Sequence, residues 1–487
     1  MRLPQFLLAA TSAASLLACD RASDVPSAPN ASGPTALVSG FITSQPAQAT
    51  GLAGAVVTPI ITVGDPIPGA TAPDPQYNVW APVPDGLGAY KKGNSLVVYA
   101  NHELPAAGIG GEFTYSRVSR LTLDLPSLGV TSGDYPLTAT SLLERLCSAT
   151  FAGAKEGLQP GFFLTGEEST TGTKNGTTVA IDENGNITEL PWLGHYQHEN
   201  QVIVPRFPGK IVAIGLDDTR GASELYLYVA SNRPELMSGG GELHVFTAQT
   251  SGEAHAGDLT VGQTITGEFK KIQNPTATSA ALQTAVTGLG AFPFVRLEDG
   301  TYRKQKINGF DNPTIYFVDT GSDAVTVCGP AQNAVCDLAG SVYGMELDAA
   351  DPTKNAKLTL LARSAGAPSG WASPDNIDAS ANTLMVQEDP AYPGFKRAPK
   401  IWAFPLTASG VGAPTAVVEV NDPLCDEPTG NCWESSGIID ASEWLGAGSW
   451  LFDVQAHSLP FSYEANGQTV NVSRDGGQLL YLNVPGS

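Results

Sequence analysis

The chain has 487 residues, 42% of them apolar and 8% aromatic. That composition excludes disorder as the default and is long enough for one large core or two to three ordinary domains. Its 26 basic residues against 48 acidic ones give a formal charge of −22, and no Lys/Arg cluster exceeds two consecutive residues, so nucleic acid is not an expected partner.

The N-terminus reads as an address. Met1-Arg2 gives a thin positive start, residues 6–17 give an apolar stretch of signal-peptide length, and Leu16-Leu17-Ala18-Cys19 resembles the bacterial lipobox, in which Cys19 is diacylated and becomes the first mature residue. A lipoprotein-type signal peptide is expected over residues 1–18, with an ordinary cleaved signal peptide as the alternative. The protein is then exported and lipid-anchored to a bacterial membrane, periplasmic or at the cell surface. Residues 19–50 are rich in Ser, Pro, Ala and Thr and are expected to form a flexible stalk. No later run reaches the 18 apolar residues a spanning helix needs.

From about residue 51 to 487 the pattern hardly changes, so one domain is expected. Strand-like runs of about four to seven residues recur at 95–99, 162–165, 210–214, 224–229, 314–318, 357–361, 383–386, 400–404, 450–453 and 478–482, separated by Gly, Pro, Asn or Asp. The 53 Gly and 36 Pro suit such short strands and turns. Only 279–289 and 441–445 show helical periodicity. An all-β chain of this length is too long for a single ordinary sandwich or barrel, which favours a β-propeller, six blades being the natural count; no repeat of the WD or kelch type appears.

Cysteines fit an oxidising compartment: Cys328 with Cys336, and Cys425 with Cys432, are spaced to staple two loops. Cys147 is left over and reads as a buried, inert thiol. There is no G-x-S-x-G elbow, phosphate-binding loop or H-E-x-x-H helix, so those chemistries are not favoured. His195-Tyr196-Gln197-His198 reads as a polar surface feature before a zinc site, and Asp182-Glu183-Asn184-Gly185-Asn186 as a tight hairpin turn before a calcium loop.

The acidic residues at strand ends carry more weight because they recur: Glu103, Glu167, Glu168, Glu199, Asp217, Asp218, Glu298, Asp299, Asp375, Glu388, Asp389, Glu434 and Asp453. Any one could be a solvated turn. Gathered from separate blades onto one channel mouth, they would offer the hard oxygens that calcium wants and that ferric iron also accepts. Without a cation such a cluster would repel itself and raise several pKa values.

These strings, in order, resemble the PhoX family of bacterial alkaline phosphatases. The resemblance runs from Asp85-Gly86-Leu87-Gly88-Ala89-Tyr90 and Asn101-His102-Glu103 through Thr165-Gly166-Glu167-Glu168, His198-Glu199 and Leu216-Asp217-Asp218. It continues through Arg296-Leu297-Glu298, Ser373-Pro374-Asp375-Asn376-Ile377 and Glu434-Ser435-Ser436-Gly437-Ile438 to Asp453-Val454-Gln455-Ala456-His457.

The resemblance implies a six-bladed propeller whose central channel holds a calcium and ferric cluster that cleaves phosphomonoesters at alkaline pH. Phosphorylated small molecules would be the substrates, and the chain is expected to be a monomer. Carried onto this chain, Glu199 and Glu298 match the metal-binding glutamates most closely, followed by Glu168 and Asp218, then Asp375 and Glu388. Glu103, Glu167 and Asp217 complete the candidate set. Arg296 would clamp a phosphoryl group, since a guanidinium can hold two of its oxygens; a structural salt bridge is its bland reading. The family carries a cysteine before the paired glutamates whose thiolate bridges two irons, and Gly166 stands there instead, with Cys147 resembling a second, earlier cysteine. On sequence alone the departure puts iron in question and leaves calcium sites intact. A non-catalytic, calcium-stabilised propeller that binds a surface ligand or partner is therefore the competing expectation, and another metal-dependent hydrolase on the same scaffold a third.

Overall fold

A computed structural model describes residues 40–221, 223–249, 255–304, 312–321, 339–366, 370–390, 395–408, 410–423, 425 and 432–487. One compact unit runs from Ser39 to Ser487. Cys19, Cys328 and Cys336 lie outside the described residues.

The architecture is a β-propeller. Six inner strands, Pro84–Lys92, Leu146–Ala152, His198–Val204, Leu297–Tyr302, Pro374–Ala379 and Glu434–Asp440, each pack against the next, and the last packs against the first. This closes a ring around a central channel. Each pairs outward with an antiparallel second strand: Ser95–His102, Phe162–Glu167, Ile211–Asp217, Thr314–Asp319, Thr383–Glu388 and Ser449–Ala456. Third and fourth strands follow outside these, and Thr264–Lys271 joins Glu242–Ala248 to Ala356–Arg363 at the outer edge. Every strand run read from the sequence lies in a strand of the propeller or overlaps one, as do helices Ser279–Leu289 and Ser442–Leu445 with the two periodic segments. The short helix Arg233–Ser238 was not foreseen, because six residues are too few to show a period.

Strands form here because β-branched and aromatic residues fill both faces of sheets that are covered on both sides. The core lies in the seams between blades. Val97, Tyr99 and Val118 of the first blade pack on Phe163, Val179 and Ile181 of the second. Tyr316, Val318 and Val342 of the fourth pack on Ile377, Val386 and Phe404 of the fifth. Apolar side chains fill the seams, and polar and acidic ones are left for the axis.

The ring is locked by its own ends. Val56–Thr62, near the start of the compact unit, is the outermost strand of the last blade, antiparallel to the C-terminal strand Gly476–Asn483. Residues expected in the stalk join this closure. Phe41 bridges Val130, Ala49–Gly51 pairs with Thr415–Val420, and the Gln48 amide donates to Gln478 Oε1 at 2.8 Å. Residues 41–51 thus belong to the domain, although composition assigns them elsewhere up to residue 50, because Ser and Pro content does not register the edge hydrogen bonds that a short strand can make.

Closing the ring through two chain ends makes the outer strand a point of global weakness. Ile61 is fully buried in it, whereas Val56 is 56% exposed. Ile61→Ala is expected to cost about 2–5 kcal/mol and Val56→Ala no more than about 0.5 kcal/mol, read from urea unfolding midpoints.

Candidate metal centre

One local device is repeated around the channel. In every blade the inner strand carries one extra residue near its start relative to its partner, a β-bulge between Pro84 and Leu87, Leu146 and Ala149, His198 and Gln201, Leu297 and Gly300, Pro374 and Ile377, and Ser436 and Ile438. A bulge re-aims the side chain it carries. The equivalent residue in each is Asp85, Cys147, Glu199, Glu298, Asp375 and Ser436. Just before four of these strands a non-glycine residue adopts a left-handed backbone: Val83, Arg145, Arg296 and Ser373. Such residues are held against a local cost of order 1–3 kcal/mol and cluster at functional sites.

The second strands contribute through alternation. Successive side chains of a strand point to opposite faces, so each paired acid splits into one member spent inside the blade and one at the channel. Glu167 accepts from the backbone amides of Gly176 and Glu144 at 2.9 and 3.0 Å. Asp217 accepts from Thr219 N at 2.8 Å. Glu388 accepts from Ala372 N, Lys400 N, Trp402 Nε1 and Arg397. These three candidate ligands are thus already engaged in holding loops. Their successors Glu168 and Asp218 enter the ligand groups, and the next, Asp389, sits against Glu434.

Three groups of side chains place ligand atoms within 4.8 Å of one another: Asp85, Glu103 and Cys147; Cys147, Glu168 and Glu199; and Glu199, Asp218 and Glu298. Cys147 belongs to the first two and Glu199 to the last two, so the groups form a continuous row. Asp375 stands close enough to be repelled by Glu298 and Glu199. Arg296 Nη2 lies 2.8 Å from Asp218 Oδ2 and 3.3 Å from Glu298 Oε1. Arg145 has the equivalent role at the seam between the first and second blades, 3.1 Å from Glu103 and 2.6 Å from Glu168.

Burial, followed by mutual repulsion, holds Asp85, Glu199, Glu298 and Asp375 well above the usual carboxylate range. Glu168 is pushed up to about 8, burial outweighing the Arg145 guanidinium. Several buried oxygens here have no hydrogen-bond partner: Asp85 Oδ1, Asp218 Oδ1, Asp375 Oδ1 and both oxygens of Asp453. Buried acceptors are normally satisfied. Unsatisfied carboxylate oxygens converging on one channel fit hard cations, and a single thiol among them adds a ligand suited to iron.

Cys147 is a free, buried thiol, as the sequence suggests, and burial pushes its pKa up; it is not isolated, since its Sγ lies 3.4 Å from Asp85 Oδ2 where two of the side-chain groups meet. A Cβ at Gly166 would lie 2.3 Å from His198 Cβ, in the seam between the second and third blades, so a side chain there would be directed at His198. Of the histidine pair read as a polar surface feature, His198 belongs to the interior. His198 is fully buried, packs on Tyr196 with ring centroids 3.7 Å apart, and donates from Nε2 to the Gly194 carbonyl at 3.1 Å while Gln201 donates to its Nδ1 at 3.0 Å. The turn at Asp182 is a hairpin whose carboxylate accepts from Asn184 N and Asn186 N. Cys425 and Cys432 are joined as a disulfide. Asp85 and Arg145 were missed as site residues, although Pro84-Asp85-Gly86-Leu87 mirrors Pro374-Asp375-Asn376-Ile377 and could have pointed to the former.

The family model described as alkaline phosphatase PhoX matches residues 173–436. Among solved structures, that of Pseudomonas fluorescens PhoX in complex with vanadate, a transition state analogue, superposes with a TM-score of 0.62 at 12% identity, covering 89% of this chain and 96% of that one. This likeness establishes the fold. A protein of unknown function from Dyadobacter fermentans aligns more loosely, with a TM-score of 0.42 at 8% identity over 87% of this chain and 98% of that one. No curated protein sequence matches the chain.

Two outcomes follow from the geometry. Gly166→Cys is expected to destabilise the fold by about 1–3 kcal/mol without raising bound metal, read from unfolding midpoints and elemental analysis. In chelated protein, the carboxyls raised from 4.5 to about 8 at Glu168 and from 3.8 to about 7 at Asp299 bind protons more tightly folded than unfolded. Their contribution is complete below about pH 4 and is lost as pH rises through about 7 to 8. The melting temperature of chelated protein should fall across that window, and calcium should remove the fall.

Proposed function

The chain belongs to the PhoX family of alkaline phosphatases, and from that membership we propose that it is an exported phosphoesterase hydrolysing phosphomonoesters at a metal centre in its propeller channel. The observation that carries the reading is the row of three ligand groups joined through Cys147 and Glu199. Asp85, Glu103, Glu168, Glu199, Asp218 and Glu298 would hold calcium, and Cys147 with its carboxylate neighbours would hold iron. Such ions, when bound, polarise phosphoryl oxygens and lower the pKa of an oxygen nucleophile.

The protein's own contribution is charge and position. Arg296 is nearly buried, its Nε has no partner, and its other contacts are the carboxylates that ions would engage. Neutralising those carboxylates frees the guanidinium to take phosphoryl oxygens in its fork. Arg145, at the seam between the first and second blades and half exposed, would help orient the same anion. An acid-lined channel would admit small phosphorylated molecules that bound ions draw in and would repel the bare anion without them.

The disulfide Cys425–Cys432 suits an oxidising compartment and supports the reading of residues 1–18 as a leader with Cys19 as the lipid-bearing residue. Residues up to about 39 would then tether a single monomeric domain to the membrane. The competing picture of a binding-only propeller rests on Gly166, and it would be favoured by a folded, calcium-loaded protein without phosphatase activity.

Hydrolysis of p-nitrophenyl phosphate at alkaline pH should be abolished by a chelator and restored by calcium with iron. Cys147→Ala and Glu298→Gln should each lower kcat by about 10²-fold or more. Turnover that is indifferent to chelation, or to both substitutions, would refute the assignment.

A further inference from the structure

Resting on the reading of the channel as a metal centre, we infer that Ser148 and Asn376 are positioning residues that fix the orientation of Glu199 through a hydrogen-bonded brace spanning the channel. Glu199 is shared by two ligand groups, so the direction of its carboxylate decides whether both can be completed. Its Oε2 accepts from Ser148 Oγ at 2.9 Å. The same hydroxyl oxygen accepts from Asn376 Nδ2 at 3.0 Å. A hydroxyl has one proton and two lone pairs. With the amide donating into the oxygen, its single proton is directed to Glu199, and Oε1 of that carboxylate is left for a ligand.

The brace is built to be rigid. Ser148 is on the inner strand of the second blade, Glu199 on that of the third and Asn376 on that of the fifth, so one bond joins adjacent blades and the other ties them to the blade across the channel. All three side chains are almost wholly buried. Ser148, Asn200, Asp299 and Asn376 occupy the same place in their bulges, one residue after the ligand position. Asn200 Nδ2 donates to Asp299 Oδ1 at 2.6 Å, and Ile377 N donates to Asp299 Oδ2 at 3.0 Å. These four polar residues form a septum. Beyond it, toward the other mouth, lies a cavity of about 770 Å³ lined by Asn200, Asp299, Tyr302 and Lys304 among others. Of the two pairs in the septum, only the Ser148–Asn376 pair touches a ligand carboxylate, which separates a positioning role from a merely structural one.

The test is calcium binding by the full chain after chelation and dialysis, followed by titration calorimetry with calcium alone, alongside thermal melting. Ser148→Ala and Asn376→Asp, the latter replacing the amide donor by an acceptor that claims the hydroxyl proton, should each raise the calcium dissociation constant about 10-fold to 100-fold. Ser148→Thr, which keeps the hydroxyl, should recover most of the loss. Asn200→Ala, in the same layer but off Glu199, should bind calcium within about 2-fold of wild type even where its melting temperature falls as far. Wild-type affinity in both Ser148→Ala and Asn376→Asp, or an equal loss in Asn200→Ala, overturns the inference; should Ser148→Ala fail to fold, Asn376→Asp decides. A wild type that takes up no calcium overturns the functional reading itself, a result distinct from any ranking among the variants.

Discussion

The repeated bulge at the head of each inner strand is the constraint from which the site follows. A regular strand at that position would alternate its side chains between the two adjoining seams, both filled by apolar residues. One extra residue breaks the alternation and turns a side chain toward the axis without disturbing the ladder further out. Because the device recurs in every blade, acids far apart in sequence arrive at one level of the channel. Glycine stands behind the ligand position where the chains press closest: a Cβ on Gly86 would fall 2.4 Å from the Ala149 nitrogen and the Cys147 carbonyl oxygen of the next blade.

The electrostatic consequence is severe. Burial alone disfavours each carboxylate, and neighbours of like charge add to it. Two guanidiniums, Arg145 and Arg296, sit across seams and offset some of that repulsion, yet Asp85, Asp218, Asp375 and Asp453 retain oxygens without a partner. A fold tolerates such a centre only if something else holds it together. Here that is the apolar packing of the seams and the closure of the ring by Val56–Thr62 against the C-terminal strand. The scaffold thus holds the carboxylates together against their repulsion, and bound cations would relieve it, the arrangement expected where ion binding and stability are coupled.

Much of the fold was legible, and the reason is local. Strand runs such as 95–99 and 478–482 announce themselves by β-branched and aromatic content, and the recurrence of acids at their ends pointed to one rim. What could not be read was which acid of a pair faces the channel. Glu167 and Glu168 are chemically alike, and only the register of Phe162–Glu167 decides that the first accepts backbone amides and the second meets Glu199. A change of one position in that register would exchange their roles. The bulges themselves leave little sequence trace, since Pro-Asp-Gly-Leu, Leu-Cys-Ser-Ala and His-Glu-Asn-Gln agree at no matching position and fall at irregular spacing along the chain. Motif order alone likewise does not say where the side chains at positions 166 and 147 are directed. Position 166 precedes the paired glutamates in sequence, but its side faces His198, whereas Cys147 sits on a bulge and faces the axis.

The left-handed residues before four inner strands tie the backbone to the chemistry. Arg145 and Arg296 hold this conformation immediately ahead of strands whose bulges carry Cys147 and Glu298. With an extended backbone at that point, the arginine side chain would follow the strand's alternation into a seam, where an unpaired guanidinium is costly. The turn instead leaves it over the carboxylates of two adjoining blades: Glu103 and Glu168 for Arg145, Asp218 and Glu298 for Arg296. Ligand and counter-charge therefore come from one short segment, with the cation a single residue before the strand and the ligand one residue into it. The blade presents an anion-binding group and a cation-binding group at a fixed separation, set by two backbone irregularities and independent of loop length. That pairing is what the binding of an anionic phosphoryl group beside bound cations requires.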